Sequence, residues 1–161
     1  MSIYKTLFTF AFSCLCFYGQ TQQSINLKLK IRLNSSDEFQ HHLNECSVLI
    51  FKNSKIIDSL TLKGHVFKYR LSDRSVYKVL IKKNTFISKH IIVNTTNCKS
   101  KRFKLKADLG LFHLKGNENI DFLDEEPVSI AYYNGIKKEI MWDFEYNRSI
   151  VEKIIHAQIK E

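Results

Sequence analysis

Four carboxylates fall within six positions, Asp121, Asp124, Glu125 and Glu126 of "DFLDEEPVSI", directly before Pro127, the one proline of the chain. Oxygen ligands at that density suggest calcium binding, or a pair split into acid and base. A calcium loop, however, alternates Asp and Asn ligands around a central Gly and closes with a distal Glu, an order absent here. Acid–base work needs the two carboxyls in unlike environments, and carboxyls this dense beside a proline suit a solvated turn. We expect the knot to form a solvated turn docked near a basic sheet face.

His41 and His42, with Asp37, Glu38, Glu45 and Cys46 nearby, are the one grouping of metal-ligand type. Adjacent histidines project to different faces of a helix or strand, and no CxxC or HExxH spacing follows, so no metal site is expected. His65, His90 and His113 stand isolated and read as surface or structural residues. Nucleophilic catalysis has no anchor: Gly-x-Ser-x-Gly and a glycine-rich phosphate loop are missing, and the 161 residues include only five glycines. No cofactor is implied, and an enzyme is not expected.

The stronger pattern is cationic. Lys28, Lys30 and Arg32, and again Arg102, Lys104 and Lys106, occupy alternate positions of two strand-like runs, so each trio projects from one face. If those strands are neighbours, six cations share a surface fit for an anionic ligand such as lipopolysaccharide or an acidic glycan, or for a partner protein. The competing explanation is that lysines on sheet edges prevent aggregation. Nucleic acid is disfavoured, because Phe67 and Phe103 fall on the core side and not between the cations.

The elements that must carry these residues are strands. Ile25, Leu27, Leu29, Ile31 and Leu33 alternate with polar residues, and Phe103, Leu105, Ala107 and Leu109 do the same. Between them "CSVLIFK", "KIIDSLTL", "HVFKYRL", "VYKVLIKK" and "FISKHIIVN" are separated by turn signals, with Gly64 expected to supply positive φ. "CSVLIFK" is continuously apolar and is expected to meet the core on both faces. Seven short strands without an intervening long helix argue an all-β, seven-stranded antiparallel Greek-key sandwich. A hairpin over Asn134-Gly135 and a short terminal helix, its Ile150, Val151, Ile154, Ile155 and Ile159 forming one broad stripe, should follow.

Charge and targeting divide the chain further. Residues 1–106 hold nineteen Lys and Arg against five Asp and Glu, and residues 107–161 hold six against eleven, so the two parts should attract each other. Lys5 followed by "TLFTFAFSCLCFY" has the layout of a signal peptide, too short an apolar run to span a bilayer. We expect 1–20 to be a leader, 21–110 a sandwich domain and 111–161 an acidic extension packed on it. The protein is then exported, periplasmic or associated with the outer envelope, with a lipid anchor on Cys14 or Cys16 as the minority reading. Without the leader, Cys46 and Cys98 remain, either as a disulfide or as two buried thiols.

The run from Val48 to Thr96, with Gly64, Phe67, Tyr77, Ser88 and Lys89 in characteristic places, resembles the carboxypeptidase regulatory-like, transthyretin-like (prealbumin-like) sandwich domains of small exported Bacteroidetes-type envelope proteins. The usual glycine and aromatic before Ser-Lys are half kept, as Thr85 and Phe86. Pro127, Val128, Tyr133, Asn134, Asp143, Phe144 and Tyr146 extend the likeness, which covers roughly 46–146, while Ser129 replaces a lysine common in such tails. The resemblance implies a non-enzymatic interaction or scaffold module with a protein partner in the cell envelope. An anionic-ligand binding protein is the alternative, and a metal-dependent enzyme at His41 and His42 the weakest reading.

Overall fold

A strand whose residues alternate between apolar and polar buries one face and leaves the other in water, so strands of this kind stack in facing sheets. The computed structural model describes residues 24–35, 43, 45–99 and 102–159. Among these, β1 (Asn26–Ser35), β4 (Val66–Leu71) and β7 (Arg102–Leu111) form one sheet in the order β4-β1-β7. The second sheet runs β3-β2-β5-β6-β8-β9, from β3 (Lys55–Thr61) through β2 (Ser47–Lys52), β5 (Val76–Lys82) and β6 (Lys89–Asn94) to β8 (Ser129–Asn134) and β9 (Glu139–Trp142). A terminal helix, α1 (Phe144–Ile159), follows.

The all-β sandwich with its C-terminal hairpin and helix is as expected, but the pairing is not wholly antiparallel. β1 pairs with β7 in parallel, and so does β6 with β8. Parallel neighbours cannot be joined by a tight turn. Both pairs join strands far apart in the chain: β2 to β6 lie between β1 and β7, while β7 and a 3-10 segment (Glu118–Asp124) lie between β6 and β8.

β1 supplies Leu27, Leu29, Ile31 and Leu33 to the interior, each at most 1% exposed. Phe67 of β4 and Tyr77, Val79 and Ile81 of β5 meet them. The sides of the sandwich are closed by polar links. Trp142 Nε1 donates to the Lys106 carbonyl at 2.9 Å, joining β9 to β7. Opposite, burial, and after it the Asp58 carboxylate of β3, push the Tyr69 phenol of β4 up to about 12.

Several local expectations need correction. β2 buries Val48 and Ile50 but leaves Leu49 and Phe51 half-buried, because the helical layer covers the sheet around β6 and β8 instead. Gly64 does not adopt positive φ; left-handed positions fall instead at Asn53 (47°) and Ser54 (68°), the two-residue turn between β2 and β3 that matches strand twist, and at Lys138 (55°) between β8 and β9. The turn at Gly64 is held by Leu33 N–H to His65 O and Leu62 N–H to Cys46 O. Pro127 stands before β8, which lies between β6 and β9, and Val128 N–H makes the first bond, to His90 O.

Cys46 and Cys98 are both buried and free. Cys46 precedes Ser47, which faces Lys82 at one end of β5, whereas Cys98 follows Thr95, which bonds Ser75 at the other end. Seven strand residues separate those ends, roughly 20 Å and far beyond the span of a disulfide. Burial raises both thiols, Cys98 to about 11, with Lys83 and Arg74 respectively opposing the shift.

The five-residue stripe of the helix is split in two. Ile150 and Ile154 turn inward to Ile87, Ile120 and Leu123, forming a second small core on the outer face of the larger sheet. Val151, Ile155 and Ile159 stay exposed. Asp143 caps the helix, its Oδ1 accepting from Tyr146 N–H at 3.0 Å.

Candidate functional site

The parallel register of β1 and β7 brings the two cationic trios together. Lys28 lies opposite Lys104 and Lys30 opposite Lys106, while Arg102 stands beside Asn26 and Arg32 beside Asp108. On the other flank β4 places Arg70 against Lys28 and Lys68 against Lys30. Two rows of three cations, Arg70-Lys28-Lys104 and Lys68-Lys30-Lys106, thus cross the open face of the smaller sheet, with Arg32 and Arg102 beyond them.

Lys68 and Arg70 were not among the candidates read from the sequence. The alternation that turns Phe67 and Leu71 into the core already aims them outward, but the pairing of β4 with β1 is a property of the fold.

The electrostatics are one-sided. Asp108 is the one carboxylate on these registers, and it lies 3.7 Å from Arg32 with both side chains more than half exposed. Such a pair contributes under about 1 kcal/mol. Like charges directly across a sheet destabilise it, and here each central cation has cationic neighbours on both sides. The side-chain stems surround a shallow open depression of about 530 Å³, floored by Leu29, Tyr69 and Leu105. Aside from Tyr69, which packs toward the core, no aromatic ring borders that floor. Among the described residues the face holds no nucleophile and no acid–base pair; what it offers is attraction for anions.

The acid knot docks elsewhere than expected. Asp121, Asp124 and Glu125 are exposed, Glu126 pairs with Lys153 of α1, and Tyr146 of the same helix donates its hydroxyl to Pro127 O at 2.7 Å. Lys153 also lies over the Phe122 ring at 4.2 Å. The knot is therefore clamped by its own helix and not by the basic sheet.

His41, His42, Asp37, Glu38, Cys14 and Cys16 lie outside the described residues. The Cys46 thiol donates to Leu43 O at 3.1 Å inside the core. Among the described residues no three His, Cys, Asp or Glu side chains group to hold a metal ion.

Two buried polar residues were missed as such. Lys89 is 3% exposed, donates to Gly110 O at 2.6 Å and sits 3.5 Å from the Phe112 ring centroid; burial lowers it to about 7. His90, 2% exposed, points the opposite way and is lowered to about 4 by burial and then by Lys78, with Asp124 opposing. The signal was a charged pair leading directly into the apolar run "IIV". Neither lines a cavity described here, and Lys89 acts as a tie between the sheets.

No family model and no curated protein matches the chain. Similar solved structures include two crystal structures of a type II cohesin–X-dockerin complex from Acetivibrio cellulolyticus. An N-terminal interface mutant has 10% identity and a TM-score of 0.37, covering 54% of this chain and 58% of that one. A C-terminal interface mutant has 10% identity and a TM-score of 0.37, covering 56% and 59%. The chain thus spans under two thirds of either neighbour.

Proposed function

We propose that this protein is a non-enzymatic interaction module of the exported cell envelope, whose working surface is the open face of the three-stranded sheet and whose partner there is anionic. One observation carries the reading. Six cations stand three abreast in two rows, a repulsive arrangement that no carboxylate on those rows relieves. Protection of edges accounts for the cations of β4 and β7 but not for Lys28 and Lys30, since β1 is the central strand of its sheet and its lysines guard no edge. The likeness of residues 46–146 to carboxypeptidase regulatory-like sandwiches supports the non-catalytic part of the reading, and the apolar leader supports export.

The test is reversal of charge at Lys28, Lys30, Arg32, Arg102, Lys104 and Lys106, each to Glu. Retention on an anionic matrix at low salt should be lost; retention equal to that of the unmodified protein refutes the reading.

A second reading, docking of a protein partner on α1, is favoured by one feature. Val151, Ile155 and Ile159 are 53%, 47% and 73% exposed along one line of the helix.

A further inference from the structure

We infer that the anionic partner of the basic face is a membrane surface, on which the three-stranded sheet lies flat. This inference rests on the reading above and names its ligand. The cations are arranged in two dimensions: three strands set them side by side across about 10 Å, and alternate positions from Arg102 to Arg32 extend them along about 20 Å. A linear polyanion is served by one column of charges. A plane of lipid headgroups is served by a plane of cations, and this array falls within about two Debye lengths, so its charges act together.

The chemistry of the face points the same way. Tyr69 and Phe103, which border the depressions between the cations, pack against the core, so among the described residues no aromatic ring stands up between the cations as a platform on which a sugar ring or a nucleotide base stacks. Five of the eight cations are lysines, flexible point charges that follow charge density and not the planar geometry of one anion. The depression between them is open and shallow, without the walls that select a small ligand. The one apolar side chain at the outward positions of the β1–β4 register, Val66, is at the margin, so the sheet rests on headgroups without inserting between acyl chains.

Binding of this kind strengthens by roughly fivefold for each Lys or Arg at an anionic surface and fades as salt screens it. The experiment is co-sedimentation of the purified protein with vesicles of phosphatidylcholine alone and of phosphatidylcholine with phosphatidylglycerol. It is repeated for K28Q/K30Q/K104Q/K106Q and for a control of equal charge loss, K55Q/K63Q/K115Q/K137Q. Thermal melting verifies that both variants are folded.

Expected is binding to the anionic vesicles alone, abolished by high salt, reduced roughly 100-fold or more in the face variant and far less in the control. Equal losses in the two variants mean attraction by net charge and overturn the inference. A protein that binds dextran sulfate through the same face but not anionic vesicles overturns the membrane assignment and leaves the anionic-ligand reading standing. Binding to neither removes both.

Discussion

Lys89 Nζ donates to the carbonyl of Gly110 at 2.6 Å, tying β6 of the larger sheet to β7 of the smaller at a point sealed from water. Desolvation lowers the ammonium to about 7 from 10.5. Between those values the unfolded chain holds a proton that the folded chain has released, so stability rises with pH. The effect runs from pH 7 to about 9, above which the thiol of Cys98, raised to about 11, and the phenol of Tyr69, raised to about 12, act in the opposite sense. Urea unfolding should show a gain of about 2 kcal/mol over that range. In Lys89→Met the gain should vanish; a slope that persists in the variant assigns it to another group.

Thr85 occupies the left-handed region at φ 68° while its carbonyl accepts from Leu114 N–H at 2.7 Å. A β-branched residue there costs about 1–2 kcal/mol, and glycine gives back part of the gain through the entropy of the unfolded chain. Thr85→Gly should therefore stabilise the protein by about 1 kcal/mol, read as a higher urea midpoint at unchanged slope. Thr85→Val should not. Phe86, its neighbour, stacks edge-on against His113 at 5.2 Å and need not move.

How much of this was legible depends on whether a feature is local. The outward rows Lys28 to Arg32 and Arg102 to Lys106 follow from alternation within one strand, and so were read without the fold. Their adjacency depends on a parallel pairing across more than sixty residues, which no short pattern states. The same gap hid Lys68 and Arg70, and left Cys46 and Cys98 open between two readings that only the ends of β5 decide. The acid knot misled for a different reason. Gross charge division suggested attraction to the sandwich, whereas one phenol and one lysine of α1, both local to the extension, hold it.

Those two clamps differ in worth. The Tyr146 hydroxyl reaches Pro127 O from a half-buried position, so Tyr146→Phe should cost about 1 kcal/mol. Glu126 and Lys153 are each more than 40% exposed, so Glu126→Gln should cost under about 1 kcal/mol and less in high salt. Thermal melts of the two variants check the order; a larger loss for Glu126→Gln contradicts it.

The extension belongs to the sheet and is not an ornament on it. β8 pairs with β6 from Ser129 to Tyr132, and Ile150 seals Ile87, Ile120 and Leu123. A chain ending at Leu109 leaves β6 as an open edge and uncovers that second core. It should be insoluble or unfolded at room temperature; circular dichroism matching the intact sandwich, with equal melting, contradicts the docking.

The final prediction separates a binding surface from a merely soluble one. Lys104 stands directly opposite Lys28, and Lys28 also faces Arg70. Lys104→Glu turns a repulsive cross-strand pair into an attractive one, and should raise stability by about 0.5–1 kcal/mol at low salt, the gain shrinking as salt screens it. If the face serves only solubility, that gain comes without loss. If it binds anions, the stabilised variant should hold anionic vesicles more weakly than the unmodified protein, the trade expected where a site is kept at the expense of stability. Unfolding in urea at two salt concentrations, beside vesicle co-sedimentation, measures both. A variant neither more stable nor weaker in binding shows that Lys104 does not act within the array that the registers place around it.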